Sequence, residues 1–568
     1  MRKFEGIGLR TALIALVIGS AACATETVKV VPGGTAPAGT DGTTTETEPT
    51  DPSTTTDPTD KDAPAPPLVA GLSITDIAVF QAVKVDVVKD GKVVAKSARN
   101  APVVVGRPAL VRVYVKSDSA YDGSEVSAEL RLVDGTTRLP IVKDAKSVSL
   151  GGGESTDADP ESTFNFEVPA GSLPDGVTYQ VFLTSKAGKV PSGAHAGRFP
   201  KDGGVQALDA QASGKLKIVV VPVKYDFDGS GRTPDVSAAQ LERYRTTFMG
   251  QYAATEVEVT ARAPWSYTSS ISGNGSGFSA VLNAITNLRK ADKAASDVYY
   301  YGALAPTSSF STFCQGGCVT GLSTVVESPK SAFLRASVGV GFPGQDSVNT
   351  AAHEVGHAHG REHAPCGGAQ STDQDFPYSN GSIGVWGYDL NAKKLISPSK
   401  GKDFMGYCPN EWVSDYTFTA LFDRIAAVNG NAISGITGGT TSSASGSGSQ
   451  ANVQVSQVAR AFQAPQTFRM ATVAADGSIT WGGEIDLDEE PGDGIAHEVT
   501  YTGDSGQSLG TNTARFYRYD HLPGGVLIVP PASKVAMLAA DAAHARVAQT
   551  WSSVRITGAK LNAATLSR

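Results

Sequence analysis

His353-Glu354-Val355-Gly356-His357-Ala358-His359-Gly360-Arg361-Glu362-His363 gathers four of the chain's eight histidines into eleven of its 568 residues. Pro343-Gly344 ends the preceding strand, Asp346 or Ser347 can cap, and the run from Val348 onward suits a helix. On that helix His353 and His357 lie one turn apart on one face, so both imidazoles can reach one ion at about 2.1 Å. Glu354 projects beside them, where its carboxylate can take a proton from a metal-bound water without coordinating. A third ligand six residues after His357 is out of reach if the helix simply continues. Gly360 accepts the left-handed conformation that stops the helix and turns the chain, which brings His363 back. His359 points away from the ligand face. The rival reading is a helix whose histidines are satisfied at the surface.

This pattern resembles the zinc signature of the metzincin peptidases, and Asp403-Phe404-Met405-Gly406-Tyr407-Cys408 downstream resembles their Met-turn. The resemblance implies one catalytic Zn2+ held by His353, His357 and His363, with Glu354 as general base and Gly360 as the structural turn. It implies that Met405 forms an apolar floor under the imidazoles without ligating. Tyr407 matches the tyrosine that astacins and serralysins place near the zinc to steady an oxyanion; core packing is the alternative. In the family an edge strand upstream of the zinc helix pairs with the substrate backbone. Val319-Thr320-Gly321-Leu322-Ser323 is the candidate, and an interior strand without substrate contact is its alternative. Two features depart from the family: 39 residues separate His363 from Asp403, and Cys366 follows the motif.

The resemblance covers residues 213–431, where strand and helix patterns alternate. Leu216 to Val223 reads as an apolar strand, and Leu241, Tyr244 and Phe248 form one stripe of a helix. Thr255 to Thr260 and Val298 to Tyr301 read as further strands, an α/β arrangement. After the Met-turn, Ser414 can cap a helix carrying Phe418, Leu421, Phe422 and Ile425 that stops at Asn429-Gly430. Residues 68–212 show short alternating runs such as Leu110 to Val115 between Asp-Gly, Gly-Gly and Pro-Asp-Gly turns, which predicts a β-sandwich. It gathers no catalytic residue types and reads as a scaffold or binding domain, less readily as an inhibitory prodomain. Residues 432–450 form a Gly/Ser linker, and 451–568 return to β-like runs as a second β domain. The fold class expected is therefore multidomain, a metzincin-like α/β catalytic domain flanked by two β-sandwich-like domains.

At the start of the chain, Arg2, Lys3 and Arg10 precede the apolar run Thr11 to Gly19, which reads as an export signal over residues 1–22. Ser20-Ala21-Ala22-Cys23 resembles the bacterial lipobox, which implies lipidation at Cys23; an ordinary cleavage is the alternative. Residues 23–67 then form an anchored, disordered Thr/Pro-rich spacer with almost nothing apolar to bury. No later segment is apolar for long enough to span a membrane. Four cysteines remain. Three pairings are open, and Cys314 with Cys318 plus Cys366 with Cys408 is favoured; four zinc-binding thiols are the alternative.

With a net charge of -8 and no basic cluster, the chain offers no surface for nucleic acid. Asp226-Phe227-Asp228-Gly229-Ser230-Gly231 is similar to the start of a calcium loop, but position twelve is Ser237, and a solvated turn is the better reading. The acidic run Asp486 to Glu490 reads as a solvated loop. The expected protein is an exported zinc endopeptidase anchored at a bacterial cell envelope, at the outer membrane or cell surface. Its expected partner is a protein or peptide substrate, with glycoproteins an analogy only. The rivals are a surface adhesin with a vestigial metal site and a zinc hydrolase of non-peptide amides.

Overall fold

The computed structural model describes residues 66–435, 461–502 and 508–531, and the backbone strand at 553–556. The expected export signal, Cys23, the spacer up to residue 65 and the link from 436 onward lie outside the described residues.

Alternating valines and aromatics in the first part build two antiparallel sheets. One runs in the order Lys92–Val93, Lys84–Lys89, Leu72–Phe80, Ala109–Ser117, Thr163–Val168. The other is built around Val126–Asp134 and Thr178–Thr184. Val111, Val113 and Val115 from the first sheet and Leu130 and Val181 from the second belong to one buried cluster. Strand Ala109–Ser117 is buried on its other face too, because Leu110 and Tyr114 lie under Tyr388. That tyrosine comes from the hairpin of Gly387–Asp389 and Lys394–Ile396.

The next sheet runs Glu256–Ala261, Lys215–Tyr225, Val298–Leu304, Ala336–Val340, Gly321–Ser323. The first four strands are parallel and the last is antiparallel at the edge. Helices cover both faces, which is why its strands read as continuous apolar runs. Tyr299, Tyr301 and Ala303 face helices Ala238–Gln251 and Gln345–Ala358, whereas Tyr300 and Leu304 face helix Phe278–Ala291.

The cluster that fills the first two sheets continues without a break into Tyr244, Phe248, Val348, Ala352 and Phe418. Arg107, fully buried, reinforces that junction by donating to the carbonyls of Gln81 (2.9 Å), Tyr252 (2.8 Å), Ala254 (3.1 Å) and Met249.

Two expectations need correction. The histidine helix begins at Gln345 after Gly344 and has no side-chain cap, so neither Asp346 nor Ser347 plays that part. Gln240 reaches the Gly344 carbonyl from a neighbouring helix (3.2 Å), and Asp346 instead sits in the first turn, where the helix dipole favours a negative charge. Asp486 to Glu489 lie within strand Ile479–Glu489 and not in a loop, with Thr467 donating to Asp486 across the ladder (2.7 Å).

The last part forms one sheet: Ile479–Glu489, Ala461–Val473, Gly525–Val529, Ser508–Arg518, Ile495–Thr502, Ser553–Ile556. Among the described residues it is a single sheet packed on the α/β unit, with no second layer of strands facing it. Phe468, Met470, Tyr517 and Ile528 pack with Phe278 and Val281, while the alternate residues Ala471, Val473, Phe516 and Leu527 form the opposite face.

Candidate metal centre

Helix Gln345–Ala358 carries His353 and His357 on its buried face, and their Nε2 atoms stand 3.1 Å apart. Gly360 has a φ of +84° and turns the chain, after which His363 comes within reach. The metal-facing nitrogens of His353, His357 and His363 lie within 4.8 Å of one another. Each ring is held from behind. The Nδ1 of His353 donates to the Phe404 carbonyl (2.7 Å), that of His357 to Arg361 (2.6 Å) and that of His363 to Gln370 (2.6 Å).

Carbonyls only accept, so the proton of each imidazole sits on Nδ1 and each Nε2 presents a lone pair. Three lone pairs then converge in a buried space where they repel one another unless a cation lies between them. The donor chemistry therefore fits a divalent metal, and the carbonyls behind it are the orienting partners such ligands need. Burial first, and neighbouring imidazoles second, hold His353 and His357 well below the ordinary histidine range, and the same causes bring His363 down to about 4. The rings stay neutral, as ligation requires.

Met405 is buried against the histidine helix at Gly356. Gly356 makes this possible, because a Cβ there would meet Met405 Sδ at 2.4 Å. Asp403 fixes the turn by accepting from the Met405 amide (2.9 Å) and the Ser414 amide (3.0 Å). Ser414 in turn caps helix Asp415–Val428 by accepting from the Thr417 amide (3.0 Å). The favoured cysteine pairing is the one found, Cys314 with Cys318 and Cys366 with Cys408. The second bridge clamps the loop after His363 to the Met405 turn, alongside the Ala364 amide on the Met405 carbonyl (3.0 Å).

Glu354 is buried beside the cluster, with Oε2 lacking any hydrogen-bond partner. Burial first and the Asp520 charge second push its carboxyl well above the usual range. The Tyr407 hydroxyl lies 3.1 Å from His363 Nε2, although the residue is partly exposed. His359 turns away. Its Nδ1 donates to Val355 (2.8 Å) and its ring stacks on Tyr299 at 4.1 Å, a packing role. The Asp226 turn is closed by its own chain: Asp228 accepts from Ser230 and Arg232, and Asp226 pairs with Lys224 (3.1 Å). Those carboxylates already have partners, so no calcium site is assigned to them.

Sequence reasoning missed two residues. Asp520 and His521, from the turn after strand Ser508–Arg518, enter the same cluster. Asp520 Oδ2 lies 3.3 Å from His357 Nε2, and His521 Nε2 lies 3.0 Å from Glu354 Oε1. His521 Nδ1 is also 2.5 Å from the Tyr407 hydroxyl. Burial opposes charge on His521, yet the carboxylates of Asp520 and Glu354 raise it to about 9. The only trace in the sequence is an Asp-His pair before a Pro-Gly-Gly turn, more than 150 residues from the motif.

No curated protein sequence matches the chain. A family model described as Peptidase M66 matches residues 275–420, a stretch that includes the three clustered histidines, Glu354, Met405 and Tyr407 and excludes Asp520 and His521. That match and the convergent imidazoles together support a metallopeptidase domain, a hydrolase of peptide bonds that depends on a metal ion.

Proposed function

We propose that the chain is an exported, envelope-anchored zinc endopeptidase with a metzincin-like catalytic domain between two β domains. His353, His357 and His363 would hold the ion. The observation that carries this reading is the trio of Nε2 lone pairs, each fixed by an Nδ1–H donated to a carbonyl. Three neutral imidazoles with an acidic neighbour are the donor set of catalytic zinc, which leaves a coordination position open.

When bound, the ion supplies Lewis-acid polarisation of a carbonyl and lowers the pKa of coordinated water. Glu354 accepts the proton of the attacking water and returns it to the leaving amine, and its buried environment raises its affinity for that proton. Tyr407, beside His363, is placed to donate a hydrogen bond to oxygen developing negative charge. Edge strand Gly321–Ser323 runs beside the site and would pair with an extended substrate backbone once its outer side is free, which favours peptides over other amides.

Glu354→Gln should retain metal and lose roughly 10²–10⁴-fold in peptide cleavage. Undiminished cleavage by a correctly folded Glu354→Gln protein rejects the assignment. An adhesin with a vestigial centre would bind metal in both forms and cleave a peptide library in neither.

A further inference from the structure

The outer side of the edge strand is already taken. The Val325 amide donates to the Arg518 carbonyl (3.3 Å), Thr324 bridges Tyr519 in antiparallel fashion, and the Asp520 amide donates to Ser323 (3.2 Å). The Ser323 amide returns a bond to Asp520 Oδ1 (3.0 Å). Arg518–Asp520 thus adds a short strand where an extended peptide would lie. Just beyond the Asp520 backbone, its side chain enters the cluster fully buried, and Oδ2 has no hydrogen-bond partner although it points at the nitrogen of His357. That oxygen has His521 Nε2 as an ion-pair neighbour at 3.4 Å but accepts no hydrogen bond, a costly state for a buried carboxylate that a cation between the imidazoles would relieve. His521 meanwhile lies between Glu354 and Tyr407, over the two groups that would act on substrate. Outside the cluster, Arg518 forms an ion pair with Glu362, which fastens the segment to the α/β unit.

Resting on the metallopeptidase reading, we infer that this conformation is latent: segment Arg518–His521 stands in the substrate's place, with Asp520 on the metal's open position and His521 covering Glu354. Cleavage then requires the turn to lift from the edge strand. A substrate or metal-directed ligand must compete with a group tethered at high effective concentration, so its apparent affinity falls by the fraction of molecules that are open.

The test uses the full chain with zinc, and with cobalt(II) in its place, as wild type, Asp520→Ala and Arg518→Ala. Arg518→Ala removes the fastening ion pair, together with the charge that acts on Glu327 and His363, and thermal melts establish that each variant is folded. Acetohydroxamate is the metal-directed probe. Both variants should bind it roughly tenfold more tightly than wild type and cleave a peptide library correspondingly faster. The visible absorption of the cobalt form should change in Asp520→Ala, as loss of a carboxylate ligand requires. Equal hydroxamate affinity in all three proteins overturns the inference. So does slower cleavage by Asp520→Ala with an unchanged cobalt spectrum, which would make the segment part of the working site. Tighter hydroxamate binding without peptide cleavage in any protein upholds latency and sinks the peptidase reading, whereas failure to take up either metal sinks both.

Discussion

Replacing Gly360 by alanine tests the turn that delivers His363. The residue has a φ of +84°, and a Cβ there would stand 2.6 Å from the Val326 carbonyl and 2.6 Å from Arg424 Nη2. The left-handed conformation costs an L side chain about 1–2 kcal/mol. Relieving the contact costs about 1–3 kcal/mol more, as overpacking does. The arginine tip can shift, but the carbonyl is backbone, and it also accepts from Arg424 (2.8 Å). The next residue matters as well, because the Arg361 carbonyl orients His357 (2.6 Å) and its amide is bound to Gly356 (3.0 Å). A total of about 2–5 kcal/mol divides between stability and metal affinity, and each 1.4 kcal/mol assigned to affinity is a factor of about ten. Thermal melts with and without chelator, together with metal affinity by chelator competition, measure both parts. Gly430→Ala is the control, since it has a φ of +74° but nothing within 4 Å of a new Cβ. It should lose about 1 kcal/mol and no metal affinity. If Gly360→Ala matches Gly430→Ala in both measurements, the turn does not position His363.

Arg107→Met should destabilise the chain by about 3–5 kcal/mol, because three buried carbonyls and a half-buried one lose their donor at once; denaturant midpoints for the two proteins decide this. Glu411 is pushed up to about 7 by burial, then by the Asp346 charge, with Asn349 opposing. A raised carboxyl gives stability that is complete below its unfolded value and is lost as pH rises through about 7. Wild type should therefore lose up to about 3 kcal/mol more than Glu411→Gln between pH 5 and pH 8. Equal losses in denaturation curves at the two pH values would contradict this.

The histidine cluster was legible because its geometry is local. One helix, one glycine and three residues of return chain set it, and periodicity reads such spacing directly. The interleaved apolar runs of strands 215–225 and 298–304 were legible for a related reason, since burial on both faces leaves no polar alternation. Asp520 and His521 were not legible. Their placement depends on how a distant sheet lies on helix Phe278–Ala291, through Phe468, Met470 and Tyr517, and no short-range pattern encodes that. Asp486 misled for a plainer reason: charged residues on the exposed face of an edge strand look like a loop when the intervening Ile485 and Leu487 are overlooked. The cap at Asp346 was misplaced because the helix already starts at Gln345, which puts Gly344, with no side chain to accept from the first amides, at the capping position.

The apolar cluster running from Val79 and Val111 through to Val348 and Phe418 has a consequence for dissection of the protein. A truncated chain starting near Ser213 would strip Asn100 and Arg107 from the 415–428 helix, where they meet Asp415, Thr419 and Phe418, and would open the shared apolar cluster. Such a fragment should precipitate or recruit a surrogate partner, and the metal-binding half should not mature ahead of its upstream neighbour. Heat or denaturant should accordingly melt the two together, as one event.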